Sequence, residues 1–276
     1  MEGSKQSKSV ARSVIEVPGC LKQLGVVRSF VRQFYLESVR NPIDWDFIYQ
    51  VELAVNEAAA NVIQHAYAGQ QAGTIRVELS IQSGRLDIKI LHNGRPFDSA
   101  RVRPPVFDGS RNCGFGLFMI KQCMDDVQYF EDSGGNRCIR LTRSLGQDCA
   151  PPRRASRPAS RRLLMDVVTE RIGDIIVVTI GGDALDASNA DELKQEVTQL
   201  IERTPKIIFD LRSIQFMDSA GLGVLLSSLR RATAANGDLK LCGLTSQVRG
   251  VLHMTRMNRI FDISEGRDEA LQRFLV

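Results

Sequence analysis

A stretch rich in proline and arginine near the middle of the chain constrains the fold more than any other feature. Residues 144–162 read SLGQDCAPPRRASRPASRR, with three of the nine prolines of the sequence and no periodic apolar pattern. Such a composition stays solvated and extended because it buries too little apolar surface to offset the cost of ordering. We therefore predict a linker over 146–162, which divides the 276 residues into a tail at 1–12 and two domains at 13–145 and 163–276.

The basic charge of the chain is concentrated in this linker. Five arginines and no acidic residue fall between positions 150 and 162, and they outweigh the net charge of +4 for the whole sequence. The rest of the chain is close to neutral, which argues against a nucleic-acid interface because such an interface needs a basic folded surface. An extended tether is the simpler interpretation of the arginines, and a basic arm that binds an acidic surface is the alternative.

Cysteine usage and hydropathy indicate a compartment. The six cysteines are scattered without CxxC pairs, and the N-terminal residues lack the apolar segment of a signal peptide. No run approaches the roughly 18 consecutive apolar residues that a membrane-spanning helix needs. These features predict a cytoplasmic protein with reduced thiols and no membrane association.

The first domain carries a polar stripe on an otherwise apolar helix. The sequence ELAVNEAAANVIQHAY, residues 52–67, predicts a helix that places Glu57, Asn61 and His65 four residues apart on one face. Taken alone, this face is more simply explained as a solvated surface, with a functional site as the alternative. We expect His65 to serve in packing or hydrogen bonding.

Two glycine segments follow this helix. A predicted hairpin over residues 74–91 runs into HNGRPFD, where Asn93-Gly94 would let a backbone approach a ligand closely. Further on, Gly114 and Gly116 begin a predicted helix, and N–H groups at a helix N-terminus suit phosphate. The inner face of that helix is predicted to carry Leu117, Ile120, Met124 and Val127.

Two groups of arginines admit two interpretations each. Arg28 and Arg32 share one flank of an amphipathic helix predicted over residues 20–38. Arg101, Arg103 and Arg111 lie in a predicted lid between the glycine segments. In both groups a solvated surface is the simpler interpretation, and partner binding or phosphate binding is the alternative.

The order of these segments resembles a known family. With ELAVNEAAANVIQHAY, HNGRPFD and GFGLFMIKQCMDDVQY, about residues 10–145 resemble the anti-sigma-factor serine kinases of the GHKL ATPase superfamily. The resemblance implies an α/β sandwich that binds ATP and Mg²⁺ and phosphorylates a protein serine. It implies that Glu57 is the general base and that Asn61 binds Mg²⁺. The nucleotide-binding residues that it implies are Asn61, His92, Asn93, Gly94, Gly114, Gly116 and Leu117.

One position departs from the family pattern. The family's glycine box begins with an aspartate that accepts a hydrogen bond from the adenine amino group, and His92 stands there. A neutral imidazole offers less than a carboxylate, and losing a charge-assisted bond costs on the order of 1.5–3 kcal/mol, roughly ten- to a hundredfold in affinity. Three hypotheses therefore stay open for this domain: a protein serine kinase, a non-catalytic protein-binding scaffold, and a nucleotide-sensing binding module.

The second domain alternates strands with helices, which predicts a mixed-sheet α/β fold. The segment FMDSAGLG places Ser219 at the start of a helix, where a hydroxyl is ordinarily just an N-cap. With GGDALDASNADELKQEV and KIIFDLRSIQFMDSAGLGVLLSSL, about residues 163–276 resemble the STAS domain of anti-anti-sigma factors. This resemblance implies that Ser219 is phosphorylated.

Together the two resemblances imply a bacterial partner-switching regulator. Its partners would be a sigma factor, anti-sigma proteins or other STAS proteins, with a homodimer through the kinase-like domain. A phosphate on Ser219 adds about −1.5 to −2 charges beside Asp218, near Asp183 or Asp186. A partner that packs on the unmodified serine would then meet repulsion, so that binding is lost without unfolding.

Overall fold

The computed structural model describes residues 11–39, 43–68, 73–96, 102–145 and 166–275. Residues 1–10 of the predicted tail, the predicted linker and Arg101 lie outside the described residues. The chain forms two compact units, one from residues 1–99 and 120–158 and the other from residues 100–119 and 159–276. None of the helices in the described ranges has the length and apolar character that crossing a membrane requires.

The first unit is built on a five-stranded antiparallel sheet in the order β1-β2-β3-β5-β4. Its strands are β1 (Ala11–Pro18), β2 (Thr74–Gln82), β3 (Arg85–His92), β4 (Asp126–Glu131) and β5 (Arg137–Ser144). Ser83 and Gly84 form the predicted tight turn between β2 and β3, and both have positive φ, as a two-residue hairpin turn requires. Alternate residues of β2 and β3 are buried, so one face of the sheet is apolar.

Two helices lie in this unit before the hairpin. The helix α1 (Leu24–Ser38) follows a short 3₁₀ turn, and α2 (Trp45–Asn61) continues as a π-helical turn (Val62–Ala66). Asp44 caps α2 by accepting a hydrogen bond from the backbone N–H of Phe47 at 2.9 Å. Nearly every residue of α2 from Phe47 onward is buried, which explains its high content of Ala, Val and Leu.

The segment after the second glycine motif corrects the sequence prediction. The helix α3 (Phe115–Cys123) ends before Val127, which lies in β4 at the edge of the sheet. Asp125 lies between α3 and β4, and its carboxylate accepts a hydrogen bond from the backbone N–H of Ser144 at 2.7 Å. The buried face of α3 consists of Phe115, Met119, Ile120 and Cys123, not of Leu117 and Val127. Strand β4 was missed because its pairing partner, β5, lies further along the chain.

The second unit contains a mixed five-stranded sheet in the order β12-β11-β9-β7-β6. Only β6 is antiparallel to its neighbour within this sheet. Its strands are β6 (Val167–Ile172), β7 (Ile175–Ile180), β9 (Lys206–Asp210), β11 (Asp238–Cys242) and β12 (Asp262–Ser264). Its helices are α4 (Ala190–Arg203), α5 (Ser219–Ala234), α6 (Ser246–Met254) and α7 (Arg267–Gln272), with a 3₁₀ turn at Met257–Arg259.

A separate two-stranded parallel ladder joins β8 (Ala184–Leu185) to β10 (Phe216–Met217). The sequence did not predict it, because two residues are too few to show an alternating pattern. The α/β class predicted for both parts of the chain is confirmed.

Candidate functional site

Two arginines of α1 bind polar side chains on the buried side of α2. Arg32 forms an ion pair with Glu52, and Arg28 donates a hydrogen bond to the side-chain oxygen of Asn56. Glu52 and Asn56 are both 0% exposed. The solvated flank predicted for Arg28 and Arg32 is therefore wrong. A buried carboxylate without a cation would be costly, and these arginines offset that cost.

Glu57 lies on the same helix and is only 2% exposed, so the expectation of a solvated face is wrong for this residue. Asn61, one turn later, is half-buried and ends α2. His65 is exposed and lies in the π-helical turn, whose extra residue per turn rotates it away from the stripe. The packing role expected of His65 is therefore wrong, and the alternative role in hydrogen bonding stays a prediction. What α2 provides is a carboxylate and an amide, one turn apart.

The Asn93–Arg95 loop after β3 is hydrogen-bonded to residues 66 and 67, at the end of the π-helical turn. The Tyr67 hydroxyl shares its proton between the carbonyl oxygen of Thr74 at 2.7 Å and the side-chain oxygen of Asn93 at 3.0 Å. The backbone N–H of Arg95 donates to the carbonyl of Ala66 at 2.9 Å. A Cβ on Gly94 would lie 2.7 Å from that carbonyl oxygen. The close approach for which Gly94 is needed is thus an approach to the Ala66 backbone. The first unit thereby brings the Asn93-Gly94 loop to the segment that follows Glu57 and Asn61.

His92 ends β3 with its side chain on the buried face of the sheet and is 3% exposed. Its ring meets that of Tyr67 edge to face, with 6.2 Å between the centroids. Its Nδ1 atom is buried and has no hydrogen-bond partner among the described residues. Burial, and secondarily the positive charge of Arg137, lowers the pKa of His92 to about 4, so the imidazole is neutral at pH 7. This nitrogen can still form one hydrogen bond with a bound molecule, as donor or acceptor according to the tautomer of the ring.

The second glycine motif lies in the other unit. Gly114 has φ of +88°, and a Cβ there would lie 2.4 Å from the carbonyl oxygen of Arg103. Only glycine fits such a turn. Gly116 and Leu117 fall in the first turn of α3, as the sequence predicted. The motif therefore has the predicted form, a turn that leads directly into a helix N-terminus.

Ser219 is the first residue of α5 and is half-buried. Asp218, not Ser219, caps the helix: one carboxylate oxygen accepts from the backbone N–H groups of Ala220 and Gly221, at 2.8 Å and 3.0 Å. Its other oxygen accepts from the N–H of Ala187 at 3.0 Å. The interpretation of Ser219 as a simple N-cap is therefore wrong.

The loop that Asp218 contacts is itself held by its own side chains. Asp186 is buried and accepts hydrogen bonds from both the backbone N–H and the hydroxyl of Ser188. Asn189 accepts a hydrogen bond from the N–H of Asp186 at 3.0 Å. Because Asp218 binds the next residue, Ala187, the predicted proximity of Asp186 to the Ser219 segment is present in the fold.

Sequence reasoning missed the pairing of α1 with α2 and the role of Tyr67. A signal for the pairing was present: Arg28 and Arg32 are four residues apart, and so are Glu52 and Asn56. Two such pairs on neighbouring antiparallel helices match each other in spacing. No comparable signal marked Tyr67, whose partner Asn93 is 26 residues away.

Comparisons with known proteins find a similar family for part of each half of the chain. The family described as histidine kinase-like ATPase domain matches residues 17–143, and the STAS domain family matches residues 166–270. The serine-protein kinase RsbW of Listeria monocytogenes serovar 1/2a is 31% identical over 103 residues, and RsbW of Bacillus cereus strain AH187 is 33% identical over 103 residues. Each alignment covers 34% of this chain and 66% or 64% of the relative. The chain thus spans slightly less than two thirds of the length of these relatives.

Solved structures are also similar to part of the chain. An anti-sigma factor antagonist from Mycobacterium paratuberculosis aligns with 22% identity and a TM-score of 0.37, covering 40% of this chain and 93% of that chain.

Proposed function

We propose that this chain joins a histidine kinase-like ATPase domain to a STAS domain, the two families whose models match parts of it, and that it is a bacterial partner-switching regulator with protein serine kinase activity. The observation that carries this proposal is the placement of Glu57, which is 2% exposed and one helical turn from Asn61. A buried carboxylate beside an amide on one helix suits a proton acceptor next to a metal ligand.

The residues present fit ATP as the phosphate donor. The Nδ1 atom of His92, which has no partner in the part of the chain that the structure describes, offers one hydrogen bond to a bound base. The turn at Gly114 leads into a helix N-terminus suited to phosphate. We propose Asn93, Gly94, Gly116 and Leu117 as the remaining nucleotide-binding residues, because they flank these two positions in the chain.

Mg²⁺ fits the same arrangement. Within the described residues there is no group of three or more His, Cys, Asp and Glu side chains that could enclose a metal ion. Mg²⁺ needs few protein ligands, because substrate phosphates and water supply most of its coordination. Asn61 would hold it through its amide oxygen, and the bound ion would neutralise phosphate charge.

In the proposed reaction Glu57 accepts the proton of a serine hydroxyl. The serine oxygen forms a bond to the γ-phosphorus of ATP, and the bond from that phosphorus to the oxygen shared with the β-phosphate breaks. ADP leaves with the electron pair of the broken bond. We propose Ser219 as the acceptor. Its phosphate would come from the kinase domain of the same chain, from that of a second copy, or from a separate kinase.

Phosphorylation of Ser219 would act as a surface switch. The phosphate would add about −1.5 to −2 charges directly beside Asp218, at the N-terminus of α5. The helix dipole tolerates that charge, so the fold survives, whereas a partner packed on the unmodified serine is repelled. We propose a sigma factor, an anti-sigma protein or another STAS protein as the partner, and a homodimer through the ATPase domain.

Mass spectrometry of the purified chain after incubation with Mg-ATP tests the activity. We expect a gain of about 80 Da located at Ser219, the mass of one phosphoryl group replacing a proton. Glu57→Ala should abolish the gain, whereas Glu37→Gln, an exposed carboxylate on α1, should leave it unchanged. Retained tryptophan fluorescence of the Glu57→Ala chain, from Trp45 at the start of α2, would show that the first domain still folds.

His92 favours a second candidate, a domain that binds nucleotide or protein without transferring phosphate. Calorimetry with ATP separates the candidates. ATP binding without a mass gain supports a nucleotide sensor, whereas the absence of both ATP binding and a mass gain supports a scaffold. His92→Asp should strengthen ATP binding by roughly ten- to a hundredfold, because it restores a charged acceptor. Unchanged affinity in that variant would count against His92 as the residue that meets the base.

A further inference from the structure

A short loop that lies within the ATPase family match is hydrogen-bonded to helix α5 of the STAS domain. The loop, residues 107–112, and α5 both belong to the second unit. Arg230 donates from Nη1 to the carbonyl oxygen of Gly109 at 2.8 Å and from Nη2 to the side-chain oxygen of Asn112. Asn112 in turn donates from Nδ2 to the carbonyl oxygen of Gly223 at 3.2 Å. The loop is therefore hydrogen-bonded to α5 at two positions, Gly223 and Arg230.

Apolar and aromatic contacts support these hydrogen bonds. The guanidinium of Arg256 lies 5.2 Å from the centroid of the Phe107 ring. Gly109 has φ of +77°, and a Cβ there would lie 3.3 Å from a methyl group of Ile260 and 3.8 Å from one of Leu226. The loop thus packs against a surface formed by α5 together with Arg256 and Ile260, which flank the 3₁₀ turn Met257–Arg259.

This surface is continuous with Ser219. Residues Ser219, Gly223 and Ser227 follow one another at intervals of four along α5, with Arg230 three residues further, so they share one side of the helix. The loop bonds to Gly223 and Arg230 on that side. Asn112 therefore lies one helical turn from the residue that carries the serine hydroxyl.

We propose that the side of α5 from Ser219 to Arg230 is an interaction surface whose occupant is the loop 107–112 of the same chain. A partner protein that recognises the Ser219 side of the STAS domain then has to displace this loop. The proposal goes beyond the kinase reaction and does not depend on it, because the hydrogen bonds between the loop and α5 do not require that phosphate is transferred.

Disulfide trapping tests the contact directly. The Cβ of Asn112 lies 3.8 Å from the position a Cβ would take at Gly223, which is the usual separation in a disulfide. In a Cys113→Ser background, oxidation of the full chain carrying Asn112→Cys and Gly223→Cys should give an intramolecular disulfide. The pair Asn112→Cys and Gly250→Cys is the control and should remain reduced, since no atom of the described residues lies within 4 Å of a Cβ added at Gly250. A failure to cross-link, or a cross-link formed only between two copies, would overturn the proposal.

Hydrogen exchange tests whether Arg230 holds the loop. In the full chain we expect Arg230→Ala to speed amide exchange of residues 107–112 at least about tenfold, with exchange of α4 and β9 unchanged. Arg231→Ala is the matched control: it removes the same charge from the next, exposed position of α5 and should leave the loop protected. Equal exchange of the loop in the wild-type and Arg230→Ala chains would refute the role of Arg230, whatever the outcome of the phosphorylation experiment.

Discussion

Arg32 on α1 and Glu52 on α2 form an ion pair in which the Glu52 side chain is completely buried while the Arg32 side chain is 35% exposed. Arg28 and Asn56 repeat the contact one turn away on both helices. Because the two contacts use the same four-residue spacing, they fix how α1 and α2 align. The alignment in turn fixes the helix that carries Glu57.

Removing the cation of this pair should destabilise the first domain strongly. Arg32→Ala removes the Arg32 guanidinium from the buried Glu52 carboxylate, and we expect a loss on the order of 3 kcal/mol in the free energy of unfolding. Trp45, the only tryptophan of the sequence, begins α2, so urea unfolding followed by its fluorescence reports on this domain. The control is Arg76→Ala, which breaks the exposed pair with Glu78 and should cost less than about 1 kcal/mol. Equal costs for the two variants would contradict a structural role for the buried pair.

His92 should make the stability of the first domain depend on pH. Its pKa is lowered to about 4 in the folded chain, whereas an unfolded histidine has a pKa of about 6.5. Between these values the unfolded state binds more protons, so stability falls as the pH decreases, by about 2 kcal/mol between pH 7.5 and pH 5. Urea midpoints of Trp45 fluorescence at the two pH values measure this difference.

The variant His92→Asn should remove most of that pH dependence, since an amide does not titrate. His65→Asn replaces an exposed histidine of the same unit and should retain the dependence. If the wild-type chain and His92→Asn lose the same stability between pH 7.5 and pH 5, the burial of His92 is not its source.

The elements with a strong local pattern could be predicted from the sequence. The helix around Glu57 follows from its Ala-rich apolar composition, and the hairpin follows from alternation around Ser83-Gly84. Strand β4 could not be predicted in this way, because Val127 also fits the period of the preceding helix. Its strand conformation depends on pairing with β5, a contact that no local period encodes.

The candidate site was predictable in its residue types but not in its contacts. Sequence patterns singled out Glu57 and Asn61, because polar side chains are unusual on an apolar helix, and the glycine motifs, because glycine marks turns; their roles in a site stay a prediction. They gave the wrong environment for Arg32 and His65, because burial depends on the neighbouring helix and on a π-helical turn. The hydrogen bonds from Arg230 to the loop 107–112 connect residues more than 100 positions apart and left no local signal.

Gly94 should not tolerate a side chain. Gly94→Ala places a Cβ 2.7 Å from the carbonyl oxygen of Ala66, which must displace the hydrogen bond that Arg95 donates to that carbonyl. We expect a loss of about 1–3 kcal/mol, measured by urea unfolding with Trp45 fluorescence, and weaker ATP binding by calorimetry. Gly134→Ala is the control, since its Cβ would approach only side-chain atoms of an exposed loop, at 3.3 Å. A stable Gly94→Ala chain would show that the loop can move away from α2.

Asp218 should be required for the loop that presents Ser219 even without phosphorylation. Asp218→Ala leaves the N–H groups of Ala220, Gly221 and Ala187 without their acceptor, and we expect a cost of about 3 kcal/mol to the second domain. Asp218→Asn separates the two roles, because its amide oxygen can still cap α5 while its NH₂ group faces the N–H of Ala187 without accepting from it. Hydrogen exchange should then speed at residue 187 in both variants, but at residues 220 and 221 only in Asp218→Ala. Equal exchange at all three positions in the two variants would mean that the cap and the contact with Ala187 are not independent.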